Sequence, residues 1–224
     1  MEPERLRFTA TERSGPVSAL LMRPARAHCL MLLAHGAGAG MLHPFMETLA
    51  ASLATRGVAT LRYNFPFMEG SRAGPNPTAV LVATVRSAVG AAAAAAPDLP
   101  LFAGGKSLGG RMTSTAAAAE PLPGVRGLVF LGFPLHAPGK PSGARADHLG
   151  EIALPLLFLQ GTRDKLANLT LLTPRCRELG ALATLHVVEG GDHSFAVLKR
   201  SGRTPEEVFA EIADTIAEWT GALA

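Results

Sequence analysis

Short apolar runs recur along the chain, and most of them stop at glycine or at a turn residue. Leu6–Thr9 and Val17–Met22 flank Ser14-Gly15-Pro16, which predicts an antiparallel pair reversing at that turn. Leu30–Ala34 is apolar throughout and ends at His35-Gly36, the pattern of a strand buried on both faces. Val58–Tyr63, Leu99–Ala103, Gly127–Leu131, Leu154–Gln160 and Thr184–Val188 repeat that character. Between them lie helical stretches at Pro44–Thr55, Pro77–Ala96, Leu108–Ala119, Asn168–Leu179 and Thr204–Leu223. The last opens on Thr204-Pro205-Glu206-Glu207, a capping residue followed by proline at the first helical position and early acids. Strands alternating with helices predict an α/β class, with a mostly parallel central sheet and helices on both faces. No internal repeat or linker divides the chain, so residues 1–224 read as one domain.

Composition narrows the picture. Of 224 residues, 48% are hydrophobic and 17% charged, enough apolar material for a covered sheet and too much for a disordered chain. The formal net charge is +3, and the basic residues are scattered, with pairs such as Lys199-Arg200 too short for a nucleic-acid stripe. The first residues, Met-Glu-Pro-Glu-Arg, lack the apolar segment of a signal peptide. No apolar stretch approaches the length of a membrane span; the richest, Ala91–Ala96, is closed by Pro97 as a helix end would be. Cys29 and Cys176 cannot build a disulfide framework, so a cytoplasmic protein with free thiols is expected.

The chemistry begins after Leu99–Ala103, at Gly104-Gly105-Lys106-Ser107-Leu108-Gly109-Gly110. Gly105, Ser107 and Gly109 match G-x-S-x-G between a predicted strand and a predicted helix, the setting of a nucleophilic serine on a strained turn. A serine hydroxyl needs a base, and the order expected on such a sheet is serine, acid, histidine. Asp164 follows the run ending at Gln160, and His193 follows the run ending at Val188. Asp192 competes as the acid, but its adjacency to His193 makes it a poor reach for the ring, and a loop-shaping role suits it better. The small residues His35-Gly36-Ala37-Gly38-Ala39-Gly40 let backbone amides face the serine. The N–H groups of Ala37 and Leu108 are the expected oxyanion hole, the second at the positive end of the helix dipole.

Other readings of these glycines fare worse. A phosphate loop ending in Gly105-Lys106-Ser107 would need glycine where Pro100 stands, and Gly36–Gly40 fails G-x-G-x-x-G because Met41 takes the last position. No set of His, Asp or Glu has metal-ligand spacing, so neither metal nor other cofactor is expected.

The chain resembles the α/β-hydrolase superfamily over nearly its full length. More closely, it looks like a small dienelactone-hydrolase-like branch that includes the testis-expressed and KAT8-complex-subunit-type hydrolases. The resemblance rests on His35-Gly36-Ala37-Gly38, His43-Pro44-Phe45-Met46, Asn64-Phe65-Pro66-Phe67-Met68-Glu69 and Gly105–Arg111, with Gly132–His136, Gly139-Lys140-Pro141, Gly161–Asp164 and Gly191–Phe195. It implies the fold and the Ser107, Asp164, His193 triad, and says little about substrate. Where related enzymes carry a helical cap, residues Phe133–Gly150 form a Pro- and Gly-rich loop without a strong helical pattern, so a short or absent cap and an open site are expected. Substrate contacts are expected from His43, Phe45, Met46, Phe67, Met68, Lys106, His136 and Lys140, the two lysines as attractors of an anionic group. The activity read from this is hydrolysis of a small ester or thioester, with no nucleic-acid or membrane partner. The alternative is a catalytically silent module that keeps the fold for interaction.

Overall fold

The structure is a computed structural model that describes residues 1–70, 74–137 and 139–224. Among the described residues, eight strands form one sheet: β1 (Glu4–Thr11), β2 (Gly15–Met22), β3 (Cys29–Ala34), β4 (Val58–Tyr63), β5 (Leu101–Lys106), β6 (Val125–Leu131), β7 (Leu156–Gly161) and β8 (Ala183–Val188). Their spatial order is β1-β2-β4-β3-β5-β6-β7-β8. β2 runs antiparallel to both β1 and β4, and every pairing from β4 to β8 is parallel. Among the described residues, five α-helices accompany the sheet: α1 (Pro44–Ala54), α2 (Thr78–Ala95), α3 (Leu108–Ala119), α4 (Leu169–Glu178) and α5 (Pro205–Gly221).

The uninterrupted apolar strands divide their side chains between two cores, as a period of two requires. From β3, Leu30, Leu32 and Ala34 join α2 and α3 on one face, whereas Cys29, Met31 and Leu33 join α1 and α5 on the other. β6 and β7 alternate in the same way. Helix α5 begins with the anticipated cap: Thr204 Oγ1 accepts from Glu207 N–H, and the Glu207 carboxylate accepts from Thr204 N–H at 2.7 Å.

Four expectations change. β5 runs on through Gly104 and Gly105 to Lys106, because β6 lies so close that a Cβ on Gly104 would stand 1.9 Å from the Val129 carbonyl oxygen. β8 is an edge strand rather than a doubly buried one, and Val187 keeps 39% of its surface exposed. Within the loop after β6, residues Ala144–Glu151 form a three-ten helix anchored by the fully buried Ala146 and Leu149. Helix α2 does reach the length and mean hydropathy (18 residues, 1.6) of a membrane span, since Arg86 is its one charge among alanines and valines. Its Leu81, Val85, Ala88 and Ala92 nevertheless pack into the sheet core, and Arg86 holds the carbonyls of Ala116 and Glu120.

The strand order reverses between β3 and β5, so the loops at their carboxyl ends diverge and leave a crevice. The sequence places the glycine loop after one of these strands and Ser107 after the other.

Candidate active site

Ser107 sits between β5 and α3 with φ 50° and ψ −114°, a left-handed conformation rare for a residue with a side chain. Its flanking glycines are demanded by one atom. A Cβ at Gly105 would lie 2.2 Å from the Ala34 carbonyl oxygen, and a Cβ at Gly109 would lie 2.5 Å from the same oxygen. The end of β3 therefore presses on the turn from both sides of the serine, and only glycine lets α3 start there.

His193 stands in the loop after β8. Its Nδ1–H donates to Asp164 Oδ2 at 2.7 Å, which leaves Nε2 to accept the Ser107 hydroxyl at 2.9 Å. The Asp164 side chain is fully buried, and burial alone would raise its pKa. The hydrogen bond and charge of His193, the Leu166 amide at 2.8 Å and the Gln160 side-chain amide at 2.6 Å outweigh burial and hold it below the ordinary value. Asp192 instead accepts the amides of Ser194 and Ala196, fixing the loop that carries the imidazole. The loops of the acid and the histidine touch at Gly161, where a Cβ would meet the Gly191 carbonyl oxygen at 2.2 Å.

Two further residues complete this wall. Lys106 is 8% exposed and donates to the His193 carbonyl at 2.5 Å, its ammonium 5.8 Å from the Phe45 ring and 5.7 Å from the Phe195 ring. Burial lowers its pKa to about 8, against the opposing pull of Asp164 and Asp192. Gly132 follows β6 at φ 65°, and a Cβ there would come within 3.4 Å of Lys106 Nζ, Asp164 Oδ2 and His193 Nδ1 alike.

On the opposite side, His35 is wholly buried: Nδ1–H donates to the Gly36 carbonyl at 2.7 Å and Nε2 accepts the Phe65 amide at 3.0 Å. Accepting at Nε2 while donating at Nδ1 requires the neutral ring, and burial lowers its pKa to about 4. The glycine loop thus fixed brings Gly36 against Ser107, with Ala37 beside it. Among the described residues, neither Ala37 N–H nor Leu108 N–H has an acceptor within the protein.

Two clefts open at Ser107. One, of about 300 Å³, is lined by the glycine loop, His43, Phe45, Met46, Lys106 and His193. The other, of about 320 Å³, runs past Leu108 to Arg111, His136, Arg145 and Leu166. The structure thus brings His43, Phe45, Met46, Lys106 and His136 to the serine. It does not bring the other three expected contacts there. Phe67 is buried with its ring edge against His35, because the loop after β4 turns it inward. Met68 is 39% exposed and Lys140 lies on the outer rim of its loop, and neither lines a cleft at Ser107.

A second serine–histidine contact, Ser114 Oγ to His148 Nε2 at 2.7 Å, differs in kind. The Ser114 hydroxyl donates its single proton to the Arg111 carbonyl, so it accepts from His148, which therefore cannot serve it as a base. This pair fastens the three-ten helix to α3.

A family model described as an alpha/beta hydrolase domain matches residues 27–221. Among solved structures, the chain is similar to a dienelactone hydrolase from Anabaena variabilis at 19% identity, TM-score 0.76, covering 100% of this chain and 99% of that one. It is similar to an alpha-beta serine hydrolase homologue from Coxiella burnetii at 18% identity, TM-score 0.75, covering 97% of each. A Xanthomonas campestris serine hydrolase described as without a lid follows at 19% identity and TM-score 0.72, covering 98% of this chain and 95% of that one.

Proposed function

This chain belongs to the alpha/beta hydrolase domain family, and from that premise we propose that it is a serine hydrolase acting on small esters or thioesters. The observation that carries the reading is the hydrogen-bonded run Asp164–His193–Ser107, at 2.7 and 2.9 Å, ending on a serine held at positive φ. Ser107 Oγ attacks the carbonyl carbon as its proton passes to His193 Nε2, and the buried Asp164 carboxylate fixes the ring tautomer and stabilises the imidazolium. The carbonyl oxygen becomes an oxyanion held by the Ala37 and Leu108 amides. Collapse of the tetrahedral intermediate breaks the bond to the alcohol or thiol, which leaves with the proton from His193. Water then attacks the acyl-enzyme while giving a proton to His193, and that proton returns to Ser107 as the acid departs.

Phe45 and Met46 form the apolar wall of the first cleft. Clefts of about 300 Å³ at the serine suit small substrates. A lidless relative and the short segment after β6 support an open site. The motif pattern supports placement in the branch of testis-expressed and KAT8-complex-subunit-type hydrolases. The buried free thiols of Cys29 and Cys176 fit a cytoplasmic enzyme whose single domain spans residues 1–224.

A fluorophosphonate probe should label Ser107, as read by peptide mass spectrometry, and p-nitrophenyl acetate and butyrate should be hydrolysed. Ser107→Ala should lose labelling and at least about 10³-fold in turnover. Equal labelling or turnover in Ser107→Ala overturns the proposal.

A further inference from the structure

We infer that the second cleft at Ser107 is a carboxylate subsite, in which Arg111 and Arg145 hold a negatively charged end of the ester substrate. The inference rests on Ser107 as the nucleophile and adds the class of substrate: monoesters of dicarboxylic acids, or esters otherwise carrying a carboxylate a few bonds from the reacting carbonyl.

Arg111 is carried on the first turn of α3, its amide donating to the Ser107 carbonyl at 3.1 Å. That hydrogen bond ties the first turn of α3 to the turn that carries Ser107, and both residues line the second cleft. Arg145 reaches the same cleft from the three-ten helix after β6. Arg23, Arg56, Arg86, Arg175 and Arg203 each pair with a carboxylate of the protein. Among the described residues, the guanidinium groups of Arg111 and Arg145 have neither a carboxylate nor a carbonyl partner. The acid nearest Arg145 in sequence, Asp147, is bound to Arg175 at 2.7 Å.

Two like charges are therefore held in one half-buried cleft without a counter-ion. Burial lowers the pKa of Arg111, and the charge of Arg145 lowers it further. A carboxylate between them would be attracted by both and would offer the planar acceptor that guanidinium forks match. The pair is also held in advance. Ala146 and Leu149 bury the three-ten helix, and His148 ties it to α3 through Ser114, on the helix that bears Arg111. Lys106, by contrast, spends its ammonium on the His193 carbonyl and two aromatic rings, so the anion-attracting role falls to the arginines.

The test compares 4-nitrophenyl hydrogen glutarate with 4-nitrophenyl pentanoate, which share a chain length and differ in the terminal charge. In 50 mM salt the wild type should show kcat/KM at least about ten-fold higher for the charged ester, a ratio falling in 0.5 M salt. Arg145→Met and Arg111→Met should bring the ratio to about one, and Arg145→Lys should restore part of it. A wild-type ratio of one or below, or a ratio unmoved by either substitution, overturns the inference while leaving ester hydrolysis standing. Calorimetric titration of the Ser107→Ala protein with monomethyl glutarate reads the subsite without turnover. Binding there, lost when Arg145→Met is added, supports the subsite even if Ser107 proves not to be the nucleophile; absence of binding counts against it. Circular dichroism of each variant separates loss of the subsite from loss of the fold.

Discussion

The two walls that face Ser107 are built in opposite ways. On the β3 side the wall is backbone: Gly36 to Gly40, the Ala34 carbonyl pressed against Gly105 and Gly109, and amides with no acceptor of their own. On the β6 side, from Gly132 to Glu151, the wall is side chains, with His136 and Arg145 projecting from a loop and a short helix. The first wall depends on atoms that are missing from the side chains, and the second on atoms that are present. Substitutions at His136 or Arg145 should therefore change the lining of the second cleft while leaving the backbone of the glycine loop in place.

The contrast breaks most severely at Gly105. Alanine there would drive its Cβ to 2.2 Å from the Ala34 carbonyl oxygen and 2.9 Å from the carbonyl carbon, and because these are backbone atoms, β3 must move. We expect Gly105→Ala to cost about 3 kcal/mol or more in urea denaturation and to abolish ester turnover. Gly38→Ala, with nothing within 4 Å, should stay within about 0.5 kcal/mol of the wild type. Equal midpoints for the two variants would remove the steric account of the first wall.

Next comes His35, which anchors that wall only as a neutral ring. With its pKa near 4 in the folded state and 6.5 as the reference, the unfolded chain binds the proton first. Stability is therefore full above pH 6.5 and falls as the pH drops toward 4, by on the order of 3 kcal/mol. Urea midpoints from pH 7 to pH 4 check this, and His35→Gln should flatten the slope; an unchanged slope would assign the loss to other groups.

The smallest effect sharpens the contrast at Lys106, which links the histidine loop to β5. Lys106→Met keeps the stem between Phe45 and Phe195 but removes the donor to the His193 carbonyl. Turnover should fall about ten-fold through loosened positioning of the imidazole. In the wild type, the lysine has its pKa near 8 when folded against 10.5 as the reference, so stability rises as the pH passes from 8 toward 10.5. That rise should vanish in Lys106→Met. A variant with full turnover and an unchanged alkaline slope would leave Lys106 without a positioning role.

Much of the first wall was legible in the sequence, because glycine spacing and the ends of apolar runs are local signals. Ser107, Asp164 and His193 each follow a strand that an apolar run marks, though the bounds of β5 shift to Leu101–Lys106. Gln160, the one polar side chain in the buried strand Leu156–Gly161, signals a buried polar partner, and it holds Asp164. The second wall was much less legible. Arg145 sits in a stretch whose apolar positions, Ala146 and Leu149, are too few to predict the helix that aims it. Phe67 and Met68 show the same limit: the pattern places them in the loop after β4 but cannot tell which way a loop residue turns. The span-like hydropathy of α2 is likewise spread over Thr78–Ala95, where valines and Leu81 precede the alanine run and polar residues interrupt them, so no single apolar run marks it.

The contact of Gly105 and Gly109 with Ala34 has a consequence in time as well as in space. β3 and β5 are neighbours in the sheet but are separated along the chain by α1, β4 and α2. Their pairing is a distant one that must await closure of that whole segment during folding. Until it forms, the turn at Ser107 lacks the Ala34 carbonyl that packs against Gly105 and Gly109. The appearance of a fluorophosphonate-reactive serine during refolding would then clock the joining of the two halves of the sheet.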